Sequence, residues 1–130
     1  MEERFRGGCK CGQVRYEGQR AEAQMFRCFC RDCQQLTGAG HADLVPLERE
    51  TFSISAEARV FEMIGGSGRS TYSVFCPNCG SQLMRRSEKM NDRVYVHAGS
   101  LDDPGQYACE KLIYPDAAQA WDNGNKTSSE

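Results

Sequence analysis

The sequence predicts a single, mainly β domain of antiparallel sheets. Short segments alternate apolar and polar residues, most clearly at residues 13–17 and 93–97 and less regularly at residues 58–63. Glycine, asparagine or aspartate flanks these segments, as expected where half-buried strands end. No window of eleven or more residues keeps a helical apolar period, which argues against a helical fold.

Length and composition favour one domain. The chain has 130 residues, of which 39% are hydrophobic and 26% are charged. Two domains would each need a core from about half of this length, which the ratio of surface to volume makes unfavourable. Residues 122–130 are polar and lack apolar periodicity. We therefore expect a domain over residues 1–121 and a flexible tail after it.

The remaining elements follow from shorter signals. One helical turn is predicted over residues 31–36, because Thr-Gly-Ala-Gly at residues 37–40 ends it. The Gly-Gly-Ser-Gly run at residues 65–68 indicates a mobile loop, since a phosphate loop would need Lys-Ser or Lys-Thr and a following helix. Aromatic side chains expected in the core are Tyr16, Phe26, Phe61, Phe75, Tyr95 and Trp121. Further short strands are expected at residues 23–30, 41–45, 51–55, 71–76 and 81–84.

Charge and the early residues restrict the classes of function. The formal net charge of -2 provides no basic surface for a polyanion, so nucleic acid is disfavoured as a partner. Residues 1–9 contain two acids and no apolar run, unlike a secretory signal. The chain also lacks a stretch of 18 apolar residues that would cross a membrane. We therefore expect a cytoplasmic protein without nucleic-acid or membrane partners.

Eight cysteines carry the chemical signal, and seven of them fall into three short-spaced clusters. In a reducing cytoplasm such clusters bind metal or react more often than they form disulfides, which are the weaker alternative. Only two histidines accompany them, so metal coordination would rest mainly on thiolate. The clusters are Cys9 with Cys11, Cys28 with Cys30 and Cys33, and Cys76 with Cys79, whereas Cys109 stands alone.

Cys9, Cys11, Cys76 and Cys79 can form a closed four-thiolate site, the usual tetrahedral arrangement of structural zinc. Side chains two residues apart in a strand share a face, so the first two cysteines can reach one ion. The Cys-Pro-Asn-Cys-Gly run is a tight knuckle in which proline fixes the turn and Gly80 can adopt a positive φ. Structural zinc contributes a binding free energy comparable with the stability of a small domain, so its removal should unfold the protein.

The middle cluster, Cys28, Cys30 and Cys33, supplies only three thiolates. Three protein ligands and an open fourth position distinguish a reactive zinc from a structural one. Zn²⁺ with three thiolates already carries net negative charge and activates water weakly, whereas an incoming thiol binds as a soft, deprotonated ligand. The cluster therefore predicts capture of a thiol. The alternative is a second structural zinc that His41 or Cys109 closes.

Four motifs follow one another along most of the chain, and a late tryptophan comes after them. They are GGCKCGQVRYE at residues 7–17, CFCRDC at residues 28–33 with Gly38-Ala39, FCPNCGSQL at residues 75–83, and AGSLDDP at residues 98–104, with Trp121 as the late tryptophan. Together these residues resemble the glutathione-dependent formaldehyde-activating enzyme family, which also includes relatives of centromere protein V.

The resemblance implies a β-tent fold with two zinc ions, a structural one at the four-cysteine set and a catalytic one at Cys28, Cys30 and Cys33. It also implies the activity of the family, a carbon–sulfur lyase that joins glutathione to formaldehyde as S-(hydroxymethyl)glutathione. A thiol and a small aldehyde would then be the substrates. This chain has Phe29 where the family often has histidine, and Ala120 where the family often has proline.

Glutathione has two carboxylates, so its binding site should offer arginine or lysine. Arg27 and Arg31 flank the middle cysteines, and Arg69 lies beside the glycine-rich loop, which makes all three candidates for glutathione binding. His41 is either a general acid or base near the open zinc or a hydrogen-bonded strand histidine, and His97 is expected to be structural.

A second class of function stays open: a non-catalytic zinc module that binds another macromolecule, as the relatives of centromere protein V allow. A nucleic-acid-binding zinc ribbon ranks third, because the knuckle spacing differs and the net charge is negative. The oligomeric state is also open, with a homodimer as one alternative.

Overall fold

Ten strands, one α-helix and four short 3₁₀ turns make up residues 3–122, the part of the chain that the computed structural model describes. The mainly β prediction is confirmed, whereas the β-tent arrangement implied by the resemblance stays a prediction. The strands are β1 (Arg4–Gly8), β2 (Arg15–Gln19), β3 (Phe26–Cys28), β4 (Ala42–Glu48), β5 (Ser53–Ile54), β6 (Arg59–Ile64), β7 (Ser70–Phe75), β8 (Gln82–Ser87), β9 (Arg93–His97) and β10 (Lys111–Ile113). The helix α1 is Arg31–Thr37, and the 3₁₀ turns are Ala98–Ser100, Pro104–Gln106, Pro115–Ala117 and Ala120–Asp122.

The smaller sheet has three strands in the order β1-β2-β5. We did not predict β1, because Phe5 is its one large apolar side chain and two glycines end it. The strand nevertheless runs antiparallel to β2, with Gly7 opposite Tyr16. Phe5 is fully buried, and a Cβ at Gly7 would collide with the Tyr16 phenol. Close approach of the backbone, more than an apolar pattern, therefore positions this strand.

The larger sheet has seven strands in the order β10-β3-β4-β9-β8-β7-β6. β10, the other strand that we did not predict, pairs parallel with β3 and places Ile113 beside Cys28. Side chains of β4 alternate between two packed regions: Val45 joins the main core, whereas Ala42 and Leu44 pack with Cys28. The sheet thus carries the main core on one face and a cysteine-containing cluster on the other.

The main core lies between the two sheets. Phe5 and Tyr16 come from the smaller sheet and Leu83 from the larger one, and none of the three is more than 3% exposed. Cys9 and Cys76 belong to the same packed cluster. The four-cysteine set therefore borders the main core.

Two of the six aromatic residues that we expected in the core are exposed instead. Phe61 is 53% exposed and Trp121 is 73% exposed. β6, which carries Phe61, is the outermost strand of its sheet, and most of its side chains are exposed on both faces. Alternation predicted the strand but not its place at the edge. Tyr16 is buried as expected, and Phe26, Phe75 and Tyr95 are half-buried.

Glycines set the ends of two predicted elements. Helix α1 confirms the predicted helical turn and ends at Gly38, whose φ is 75° and whose N–H donates to the Gln34 carbonyl at 2.8 Å. The strand predicted over residues 13–17 begins two residues later, at Arg15. The preceding residues form a turn in which Gly12 has a φ of 83°.

The predicted tail begins at Asp122, yet this residue belongs to the folded part of the chain. It lies in the last 3₁₀ turn, and its Oδ2 is 2.7 Å from Nδ1 of His41. The rest of the predicted tail, residues 123–130, lies outside the described residues. Within residues 3–122 no helix is long and apolar enough to cross a membrane.

Candidate metal centres and the cavity between them

Four cysteines from distant parts of the chain meet at the border of the main core. The Sγ atoms of Cys9, Cys11, Cys76 and Cys79 all lie within 4.8 Å of one another. Cys9 and Cys11 are 3.6 Å apart, and Cys11 and Cys76 are 3.8 Å apart. Four thiolates around a tetrahedral zinc, each at about 2.3 Å from the ion, would be about 3.8 Å apart. The set therefore fits a closed zinc site.

Two similar turns position these sulfurs. In the first, Gly12 has a φ of 83° and donates to the Cys9 carbonyl at 3.1 Å, while a backbone amide donates to the Cys9 Sγ at 3.2 Å. In the second, Gly80 has a φ of 80° and donates to the Cys76 carbonyl at 2.9 Å. The Asn78 amide donates to the Cys76 Sγ at 3.3 Å. The positive φ expected at Gly80 is confirmed, and both turns supply backbone donors to a sulfur.

Ser81 joins the two turns, although we did not single it out from the sequence. Its Oγ lies 3.2 Å from the Cys79 Sγ and accepts the backbone N–H of Lys10 at 2.9 Å. The hydrogen bond from the Ser81 side chain lowers the pKa of Cys79 to about 5. The available signal was its position directly after the Cys-Pro-Asn-Cys-Gly run.

Cys28, Cys30 and Cys33 come together where β3 leads into α1, and their Sγ atoms lie within 4.8 Å of one another. Cys28 ends β3, and Cys30 caps α1 by accepting the Cys33 N–H at 3.3 Å. Cys28 and Cys33 are buried, whereas Cys30 is half-buried. Three soft sulfur donors at this spacing fit three vertices of a zinc tetrahedron.

Hydrogen bonds inside this three-cysteine cluster separate the pKa values of its thiols. The interaction of Cys30 with Cys28, and then with Cys33, lowers the pKa of Cys30. The same interaction with Cys30 raises the pKa of Cys28. One sulfur of the cluster is therefore favoured as a thiolate before any metal binds.

No fourth His, Cys, Asp or Glu within residues 3–122 joins the three-cysteine cluster. His41 is engaged elsewhere, because its Nδ1 lies 2.7 Å from the Asp122 carboxylate and its Nε2 lies 3.2 Å from the Asp43 carboxylate. Cys109 is exposed, and its Sγ lies 3.5 Å from the Lys111 carbonyl oxygen. Neither of the two residues considered as closing ligands is part of the cluster.

Arg85 of β8 reaches the three-cysteine cluster, a contact that we did not anticipate from the sequence. Its Nη1 donates to the Cys33 Sγ at 3.3 Å, and its Nε is buried without a hydrogen-bond partner in residues 3–122. Arg85 lies opposite Tyr95 of β9, and His97 follows Tyr95 on the same face. His97 is 8% exposed, and burial together with the Arg85 charge lowers its pKa to about 4. Nothing in the Arg-Arg sequence shows which of the two arginines faces the cluster.

The three arginines expected to bind glutathione have separate local contacts. The Arg27 Nε lies 2.8 Å from Oδ1 of Asp43 in an ion pair. Arg31 donates from Nη1 to the Gln34 side chain at 2.9 Å. Arg69 is the last residue of the loop between β6 and β7, and its backbone N–H donates to the Ser67 Oγ at 3.3 Å. None of the three lines the cavity described next.

A cavity of about 840 Å³ lies between the knuckle turn and the end of α1. Cys9 and Gly80 line one side of it, and Thr37 and Ala42 line the other. Ala42 lies opposite Cys28 in the β3–β4 pair, so this wall is next to the three-cysteine cluster, although none of the three cysteines lines the cavity. Other polar side chains in its wall are Lys10, Arg15, His41, Asp43, Ser81, Gln82, His97, Ser100 and Asp102.

Fold and site together define a mainly β protein with two cysteine clusters suited to zinc. The chain matches the family model of the glutathione-dependent formaldehyde-activating enzyme over residues 4–117, and it belongs to that family. The resemblance drawn from the motifs is thereby confirmed.

One solved structure with a similar fold is the crystal structure of a Rhodobacter sphaeroides protein, a structural genomics target. The TM-score is 0.60 at 20% sequence identity, and the match covers 75% of this chain and 88% of that chain. At this identity the likeness shows the fold alone. No curated protein matches the chain.

Proposed function

We propose that this chain is a zinc-dependent enzyme of the carbon–sulfur lyase type that joins a thiol such as glutathione to a small aldehyde. The observation that carries the proposal is the grouping of three sulfurs, from Cys28, Cys30 and Cys33, without a fourth ligand in residues 3–122. Family membership supports glutathione and formaldehyde chemistry as the class of reaction. The proposal includes a cytoplasmic location, where cysteines stay reduced.

The role of the three cysteines is to hold the metal and leave one position for the substrate. A zinc ion held there would bind the substrate thiol as a thiolate, since a coordinated thiol is deprotonated. Cys28 and Cys33 pack with Ala42 and Leu44, which keeps water away from two of the three ligands. Cys30 is half-buried, so a substrate can approach the metal from the side of Cys30.

The reaction that we propose requires no oxidant or reductant. The sulfur of the thiolate donates an electron pair to the aldehyde carbon and forms the C–S bond, and the π pair of the C=O bond moves to oxygen. The thiol releases its proton to solvent when it becomes a thiolate. The negatively charged oxygen then takes up a proton from solvent. The product is a hydroxymethyl thioether when the aldehyde is formaldehyde.

We propose the cavity as the place where the rest of the thiol substrate binds. Lys10 and Arg15 line it and can meet carboxylates, although Arg15 already pairs with Asp102. Of the three arginines taken from the sequence, Arg27 is paired with Asp43 and none lines the cavity, so a role of Arg31 or Arg69 in binding glutathione stays a prediction.

The test is formation of the C–S bond from glutathione and ¹³C-formaldehyde, followed by NMR against the uncatalysed rate. We expect the zinc-loaded chain to accelerate the reaction and Cys30→Ser to abolish the acceleration. Cys109→Ser, which changes an exposed thiol outside both clusters, should retain it. A zinc-loaded, folded chain that leaves the background rate unchanged would contradict the proposal.

The second candidate function, a non-catalytic zinc module for macromolecular interaction, is favoured by one observation. Val60, Phe61 and Ile64 of the edge strand β6 are 46%, 53% and 66% exposed. An exposed apolar edge strand is a common site of contact with another chain. This function needs no open zinc position, so it predicts that glutathione leaves the metal ligands unchanged.

A further inference from the structure

The two cysteine clusters differ in the kind of donor that their sulfurs accept. In the four-cysteine set the backbone amide of Val14 donates to Cys9 at 3.2 Å, and that of Asn78 donates to Cys76 at 3.3 Å. These donors are neutral, and four thiolates already complete a zinc tetrahedron. Zinc in such a set has no open coordination position for a further ligand. Within the described residues, no cationic side chain donates a hydrogen bond to its sulfurs.

Arg85 gives the three-cysteine cluster a charged donor. Its Nη1 lies 3.3 Å from the Cys33 Sγ, and its Nε is buried without a partner in the described part of the chain. No carboxylate of residues 3–122 forms an ion pair with Arg85. His97, two residues along β9 from the Tyr95 that lies opposite Arg85, is neutral near pH 7, because burial and the arginine charge depress its pKa. Within the described residues, the Cys33 Sγ is therefore the hydrogen-bond partner of the Arg85 guanidinium, and no carboxylate neutralises its charge.

A charge count shows what such a cation changes. Zn²⁺ with three thiolates carries net negative charge, and a fourth thiolate adds another negative charge in a largely buried place. A neutral ligand would add none. A guanidinium bonded to one of the sulfurs offsets the added charge, and charge-assisted hydrogen bonds are about twice as strong as neutral ones.

We propose that Arg85 is the positioning residue that lets the three-cysteine zinc accept a fourth, anionic ligand, a thiolate. This inference rests on the proposed function and specifies the chemical class of ligand that the site prefers. Binding of the thiol releases its proton to solvent, so the bound ligand is the anion that Arg85 compensates. Arg85 acts through Cys33 and the charge of the centre, not by contact with the reacting carbon.

The experiment compares an anionic with a neutral ligand at the same metal. The chain is loaded with Co²⁺, and the visible spectrum is titrated with glutathione, with 2-mercaptoethanol and with imidazole, a neutral ligand that suits these metals. Arg85→Gln keeps a hydrogen-bond donor but removes the charge. We expect it to lower the affinity for both thiols by about 10- to 100-fold. The affinity for imidazole should stay at the wild-type value, and Arg85→Lys should recover most of the thiol affinity.

Arg86→Gln is the matched control. Arg86 is the next residue on β8, points to the other face, and lies with its guanidinium 4.7 Å from the centre of the Tyr72 ring. Its replacement removes the same charge and should leave all three affinities unchanged. Retained cobalt at the four-cysteine set and an unchanged circular dichroism spectrum show that each variant is folded.

Two results overturn the inference in distinguishable ways. If Arg85→Gln lowers the affinity for imidazole as much as that for the thiols, or lowers neither affinity, Arg85 does not select an anionic ligand. The proposed function still stands in that case. If neither thiol perturbs the wild-type cobalt spectrum at millimolar concentration, the proposed function fails and the inference fails with it.

Discussion

Arg85 contacts the three-cysteine cluster and His97 lies on the same face of the sheet, and each has a side-chain nitrogen that is buried and unpartnered within residues 3–122. Cysteine spacing alone predicted which sulfurs group together, because short spacings restrict where neighbouring side chains can reach. It gave no information on these two residues, since both come from strands that follow the cluster by more than fifty positions. The same holds for Asp122, which we assigned to the tail and which bonds to His41.

At the residue scale, His97→Gln should remove part of the acid sensitivity of folding. The native pKa of His97, about 4, lies below the ordinary histidine value of 6.5, so between these pH values the unfolded state binds more protons. The free energy of unfolding therefore falls as pH drops through this window. The charged groups that act on the ring are Arg85 and Asp43, and burial changes the pKa of His97 more than either charge does.

Denaturant unfolding of both chains at pH 7, 5.5 and 4 measures the effect. We expect the wild-type chain to lose up to about 3 kcal/mol more than the variant across this range. Acid release of zinc affects both chains alike, so the difference between them reports His97. Parallel stability curves for the two chains would refute a buried, neutral His97.

At the element scale, β1 depends on how closely its backbone approaches its neighbours. A Cβ at Gly7 would collide with the Tyr16 phenol and with the Ser100 carbonyl oxygen, which belongs to backbone and cannot rotate away. The alternation rule finds strands with one apolar face, so it found β2 and β9 and missed β1 and β10. The rule missed β10 because this strand has only three residues, of which Leu112 is exposed.

Gly7→Ala should lower the free energy of unfolding by about 1–3 kcal/mol, because the added methyl group forces the strands apart. Gly99→Ala is the control, since a Cβ there meets no atom within 4 Å and the residue has no positive φ. Urea unfolding compares the two variants with the wild-type chain. Equal stability of Gly7→Ala and Gly99→Ala would show that β1 is not packed as described.

At the scale of the whole molecule, the four-cysteine set ties the turn after β1 to the turn between β7 and β8. Both turns border the main core, where Cys9 and Cys76 are buried. The sequence predicted this link, because four thiolates in two short-spaced pairs complete a tetrahedron. It could not predict the cavity, whose walls come from segments scattered along the chain.

Cys79→Ser should remove one zinc per chain and unfold most of the protein. Structural zinc contributes about 10–16 kcal/mol, whereas domains of this size are stable by about 5–15 kcal/mol in total. Cys109→Ser, at an exposed thiol, should keep the wild-type zinc content and melting temperature. Zinc analysis and thermal melting test both variants, and a Cys79→Ser chain that melts like the wild type would rule out this role.

The central claim is that one zinc is closed and the other is open to a thiol, and X-ray absorption at the zinc edge tests it most directly. With two zincs per chain, one bound to four sulfurs and the other to three, the average is about 3.5 sulfurs per zinc. We expect glutathione to raise it to about 4. An average that glutathione leaves unchanged, at two zincs per chain, would contradict the account.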